Sequence, residues 1–144
     1  TTYAITEDTN FIIVQYKIFD SQLQKTENIE MTTIPDKINI KNDQGISTAF
    51  HIRGMICHMG KTIQYGHYVS CVQYGTKWFA ISDREVSQIN SKDITKAYDT
   101  AVPYIVVYSK YSSNKEWTPI GIPNVGNSCY FNSTMQAIMS LIIK

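Results

Sequence analysis

The chain has 144 residues, enough for one domain with one real core. Thirteen basic residues against twelve acidic ones leave a formal net charge of +1, so no charge excess points to nucleic acid or an anionic membrane as partner. Hydrophobic residues make up 43%, yet no stretch is long and apolar enough to span a bilayer and none reads as a signal peptide.

The cysteines, Cys57, Cys71 and Cys129, are odd in number and form no CxxC pair. This argues against a disulfide scaffold and a structural zinc site, and fits a reducing compartment, cytoplasm or nucleus. No metal and no other cofactor is expected.

In chain order, residues 1–9 are polar and give no element. Phe11 to Phe19 (FIIVQYKIF) is rich in β-formers and reads as a central strand. Asp20 to Glu30 reads as a loop, and Pro35 sits in a second one. Lys37 to Lys41 (KINIK) is a candidate short strand, followed by a turn signal, Asn42-Asp43-Gln44-Gly45. Phe50 to Cys57 reads as a strand, and Gly60 to Gly66 as a loop.

His67 to Gln73 and Lys77 to Asp83 then form a hairpin around Gly75. A Tyr74-Gly75-Thr76 loop would set His67 opposite Asp83, and a Tyr74-Gly75 loop would set it opposite Ser82. Opposed residues share a face, so one of these two side chains is expected to meet His67. Ile89 to Thr100 has room for a short helical turn. Pro103 to Tyr108 (PYIVVY) reads as a buried strand. Ser109 to Thr118 reads as a linker able to span about 30 Å at ~3.3 Å per residue.

The last stretch, GIPNVGNSCYFNSTMQ from Gly121 to Gln136, has the features of a nucleophile's address. Turn and capping residues precede Cys129, and helix-compatible residues follow it to Lys144. Cys129 thus begins a helix, where unpaired N–H groups and the helix dipole favour an anion such as a thiolate. Cys129, Asn132, Ser133, Gln136 and Ser140 fall on one narrow polar stripe at about 100° per residue. The rest of that helix is apolar, so the stripe is expected to face something polar such as a cleft. Five or six strands and one late helix give an α+β fold with an antiparallel sheet.

A cysteine hydrolase needs a thiolate, a base, a group that orients the base and donors for an oxyanion. Cys129, His67, either Ser82 or Asp83, and the neutral amide Asn124 can supply them. Each has a bland alternative: a buried inert cysteine, a structural histidine, a solvated strand end, a turn residue. It is their joint presence that carries the assignment.

The quoted blocks resemble ubiquitin-specific proteases. GIPNVGNSCYFNSTMQ resembles their cysteine box, GLxNLGNTCYMNSxLQ. GHYVSCVQYGTKWFAISDREV resembles their histidine box, in which GHY precedes a Trp strand and FDDxxV. FIIVQYKIF, FHIRGMICHMG and PYIVVY resemble the family's LiihLkRF, YxLxavixHxG and AYILFY. Nearly all of residues 10–140 is covered.

The resemblance implies a papain-like fold, with a β palm over residues 1–108, a linker over 109–119 and a cysteine-bearing helical part over 120–144, together one compact domain. It implies a thiol-dependent deubiquitinase cutting after the C-terminal glycine of ubiquitin or a ubiquitin-like protein. Cys129 would be the nucleophile, His67 the base and Asn124 the oxyanion donor. The family's catalytic aspartate falls on Ser82 and the next on Asp83; a serine can fix the imidazole tautomer, and Asp83 would supply charge. The loop over the ubiquitin tail places Gly60, Gln64, Tyr65, Gly66 and Tyr68 in substrate binding. His58 falls on a family histidine read as structural.

Two departures stand out. The histidine box precedes the cysteine box, which implies circular permutation or the end of one catalytic domain joined to the start of the next. The zinc-binding fingers and most of the thumb are missing, so a partner protein, an oligomer contact or a missing continuation of the chain is expected over the apolar face of helix 129–143. Two alternatives keep the fold: a viral-type polyprotein or self-processing protease, and a degenerate ubiquitin-binding scaffold.

Overall fold

The computed structural model describes residues 4–25, 34–62, 66–90, 101–110, 118–126 and 128–142. Among them, seven strands form one antiparallel sheet: β1 Phe11–Gln15, β2 Lys37–Lys41, β3 Ser47–Met59, β4 His67–Tyr74, β5 Lys77–Ser82, β6 Glu85–Ile89 and β7 Val102–Ser109. The order is β1-β7-β3-β4-β5-β6. β2 pairs with the first half of β3 on the flank away from β7, since His51 has Lys37 on one side and Ser109 on the other. One helix, α1 Cys129–Ile142, packs across β4 and also touches β3 and β5.

The strands follow the expected pattern with three differences. The first stops at Gln15 rather than Phe19: Tyr16 N still reaches across to Tyr104 O, but Ile18 N then bonds to Tyr16 O, a tight turn that takes the chain out of the ladder, and Phe19 bridges Lys25. β3 is longer than Phe50 to Cys57 because β2 extends its pairing at one end and β4 at the other. β6 was not anticipated: its polar EVSQI sequence is, among the described residues, an edge strand paired on one side only. The proposed turn within Ile89 to Thr100 and most of the Ser109 to Thr118 linker lie outside the described residues.

Two β-bulges set which residues face the helix. Arg53 is the extra residue on β3 between the Ile52–Tyr108 and Gly54–Val107 pairs. Tyr104 is the extra residue on β7 between the Ile56–Ile105 and Cys57–Pro103 pairs. A bulge shifts the phase of a strand by one side chain. Phe50 and Ile52 before the first bulge, and Met55 and Cys57 after it, therefore enter the same core with Val69, Cys71, Trp78, Val106 and Tyr108. Arg53 and Gly54 turn instead toward α1, where Arg53 Nη2 donates to Ser140 O at 3.1 Å. On the helix side, Val72, Tyr74, Phe79 and Ile81 pack with Val86 and Met139.

The helix lies the other way round from a simple amphipathic one. Its polar stripe faces the sheet and the strap before it, rather than an open cleft: Asn132, Ser133, Gln136 and Ser140 are all buried. The small residues Ser133, Ala137 and Ser140 let the helix come close to the sheet, and the amides find partners there. Gln136 Nε2 donates to Ile120 O at 2.7 Å. Tyr130, Phe131 and Ile138 are left exposed. Among the described residues no helix is long and apolar enough to cross a membrane.

Candidate active site

The β4–β5 hairpin turns through two residues, Gly75 and Thr76, with Tyr74 opposite Lys77. Gly75 has φ 61°, which suits the first central position of a type II′ turn and suits glycine. Neither register expected from sequence is the observed one. Ser82 falls opposite Val69, two residues beyond His67, so His67 and Ser82 are diagonal neighbours on one face. They still meet: His67 Nε2 and Ser82 Oγ are 2.7 Å apart. An even shift preserves the face, so the pair survives a change of register.

Asp83 does not share that contact. It ends β5 in a left-handed backbone, φ 49°, which turns its side chain out of the strand's alternation. Its carboxylate accepts from Asn124 Nδ2 at 3.1 Å and from Asn132 Nδ2 at 2.8 Å. Its backbone oxygen accepts from Ile122 N at 2.8 Å. Asn124 is held at its other end too, its Oδ1 lying 3.4 Å from both Ser128 N and Ser128 Oγ. The strap before the helix is thus tied to the β5–β6 turn, and Gly121 lies so close to the Arg84 backbone that no side chain would fit.

Cys129 is buried at the first position of α1, whose first helical bond runs from Asn132 N to Ser128 O at 2.9 Å. The thiol sits near Tyr68: burial pushes the Tyr68 hydroxyl up, and the Tyr104 hydroxyl and the Cys129 thiol add to it. Among the described residues no hydrogen bond joins the Cys129 thiol to His67. They are linked through a shared frame: His67 to Ser82, then Asp83 to Asn132, one turn along the helix from Cys129. Catalytic contacts are often long before substrate binds.

Of the remaining expected site residues, Gln64 and Tyr65 lie outside the described residues. Gly60 follows β3 with φ 123°. Gly66 leads into β4 against Met59 O and the His58 ring, with no room for a β-carbon. Tyr68 lines a cavity of about 280 Å³ with Ile56, Tyr104, Ile105, Tyr130 and Thr134, between the sheet and the start of the helix. His58 is fully buried, with Phe19 and Tyr68 ring edges 5.0 and 4.9 Å from it between centroids. Among the described residues, no three His, Cys, Asp or Glu side chains gather closely enough to hold a metal ion.

Asn132 is the one residue of this site whose role the sequence reading did not foresee. The signal was present: an amide one turn after a candidate nucleophile, on a stripe that had to be satisfied inside the protein.

A family model described as ubiquitin carboxyl-terminal hydrolase matches residues 5–108. Ubiquitin carboxyl-terminal hydrolase 20 of Arabidopsis thaliana is 30% identical over 83 residues, 57% of this chain and 11% of that protein. The chain thus spans about a tenth of that relative's length. The yeast SAGA DUB module superposes with a TM-score of 0.56 at 23% identity, over 69% of this chain and 24% of that one. The Ubp8/Sgf11/Sus1/Sgf73 DUB module bound to monoubiquitin gives 0.55 at 23% identity, over 69% and 23%. The fold is shared with these structures: an antiparallel sheet and a helix in the papain-like arrangement.

Proposed function

The chain belongs to the ubiquitin carboxyl-terminal hydrolase family, and from that premise we propose that it is a thiol-dependent deubiquitinase, cutting the peptide or isopeptide bond after the C-terminal glycine of ubiquitin or a ubiquitin-like protein. The observation that carries this reading is the 2.7 Å contact between His67 Nε2 and Ser82 Oγ. If Nε2–H donates to Ser82, the lone pair is on Nδ1, and the imidazole is a base in a fixed orientation.

In this reading Nδ1 of His67 takes the Cys129 thiol proton and the thiolate attacks the glycine carbonyl carbon. The carbonyl oxygen becomes an oxyanion and receives the Asn124 amide. His67 returns the proton to the leaving amine, leaving a thioester. Water, deprotonated by His67, then releases the glycine carboxylate and the thiol. Gly60, Gln64, Tyr65, Gly66 and Tyr68 would line the way in, and a Gly-Gly tail suits a channel too narrow for side chains. Residues 1–108 and 120–144 act as one catalytic unit in permuted order, joined by 109–119. A further protein chain would cover the exposed face of α1, as suits a relative whose module contains several proteins. An intracellular, reducing setting fits a working thiol.

The test is reaction of the full chain with ubiquitin bearing a C-terminal electrophile. The wild type should gain the mass of one ubiquitin and Cys129→Ser should gain none. A folded wild-type protein that stays unlabelled overturns the proposal.

A further inference from the structure

Asn132 is 3% exposed, so its amide has to find its partners inside the protein. Its Nδ2 lies 2.8 Å from Asp83 Oδ1, 3.2 Å from Ile122 O and 3.4 Å from Pro123 O. One side chain therefore joins three segments: the first turn of the helix, the strap before it and the turn after β5. The second oxygen of the same carboxylate takes the Asn124 amide at 3.1 Å. Asp83 stands between two amides, in a left-handed backbone that is strained for a non-glycine residue. Charge-assisted bonds on both oxygens offset that strain. His67 draws on Ser82 instead.

We propose that Asn132 is a positioning residue for the oxyanion side of the site: by fixing Asp83, it holds the Asn124 amide at the angle from which it meets the developing charge. This rests on the peptidase reading above. Asn124 Nδ2 carries two hydrogens. Asp83 takes one, which sets the direction of the other. The Ser128 contacts on Asn124 Oδ1 keep the amide from turning over. The acidic residue that follows Ser82 thus serves the amide that binds the oxyanion, and the imidazole is oriented by a neutral hydroxyl.

Three measurements on the full chain test this. The first is the side-chain ¹⁵N–¹H signal of Asn124, which Asn132→Ala should shift; an unmoved signal overturns the proposal with or without turnover. The second is turnover of ubiquitin carrying a C-terminal fluorogenic amide. Asn132→Ala should lower kcat about 10- to 100-fold with KM nearly unchanged, as expected for a misplaced catalytic group. Adding Asn124→Ala should then cost little more. Full kcat, or a second loss that multiplies the first, overturns it.

The third is alkylation of Cys129 by iodoacetamide across pH. This displacement at a saturated carbon develops no oxyanion, so Asn132→Ala should leave its rate profile in place. A parallel loss would mean that the helix start itself had collapsed, and the proposal would fall. Asn132→Asp keeps the shape, removes the donors and serves if the alanine variant does not fold. A wild-type chain that never reacts with ubiquitin counts against the peptidase reading, while the Asn124 signal still decides the link.

Discussion

Ser82 can do for His67 part of what a carboxylate does. Its hydroxyl oxygen can accept an Nε2–H bond and so fix the tautomer, but it brings no charge to steady an imidazolium. Ser82→Ala should therefore lower kcat/KM about 10- to 100-fold, within the range for a general base that has lost its aim. It should also move the pH dependence of Cys129 alkylation, which Asp83→Ala should leave in place. Equal and negligible losses from the two variants would show that neither is coupled to the reaction. His58 makes a separate prediction. Burial first, then the Lys25 charge, lowers its imidazole from 6.5 to about 4, with the Thr62 backbone partly opposing. The folded value lies below the unfolded one, so this stabilisation is fully present above pH 6.5 and lost as pH falls from there through 4. The melting temperature should drop over that window, and His58→Phe should flatten that part of the curve. Identical slopes for both proteins would place the acid sensitivity elsewhere.

At the scale of elements, β4 begins on a surface that tolerates no side chain. A β-carbon on Gly66 would run into the Met59 carbonyl, and backbone cannot step aside as a side-chain tip can. Gly66→Ala should cost roughly 2 kcal/mol by overpacking, read in chemical unfolding, and should disturb His67 next to it. How far such features could be read from sequence follows their physics. Strands with a buried face, such as PYIVVY, were legible because burial writes itself in β-branched and aromatic residues. β6 was not, because an edge strand in EVSQI has little to bury. The His67–Ser82 pair was found although the turn was misplaced, since side-chain alternation constrains the face more tightly than the register. The helix stripe was found and its direction missed. Periodicity shows which residues share a side, and only tertiary partners such as Arg53 and Ile120 show where that side points.

At the scale of the molecule, the one sheet and one helix among the described residues leave Tyr130, Phe131 and Ile138 on the helix's outer side exposed. Tyr130, Phe131 and Ile138 are 59%, 53% and 44% exposed, an unusual apolar display for a single chain. Phe131→Glu with Ile138→Lys should reduce concentration-dependent association in sedimentation, with stability changed by only about 0.5 kcal/mol, as for other surface sites. A large stability loss would mean that these side chains are already packed. The bulge at Arg53 carries a last consequence, for how this strand can change its length. Removing that one residue would restore strict alternation and leave the later side chains of β3 on their present faces: Ile52, Met55 and Cys57 would stay in the core and Gly54 and Ile56 on the helix side. A single-codon deletion at Arg53 would therefore cost its bond to Ser140 and the local kink, whereas the loss of Met55, a paired residue just past the bulge, would put Ile56 in the core and turn Cys57 toward the helix.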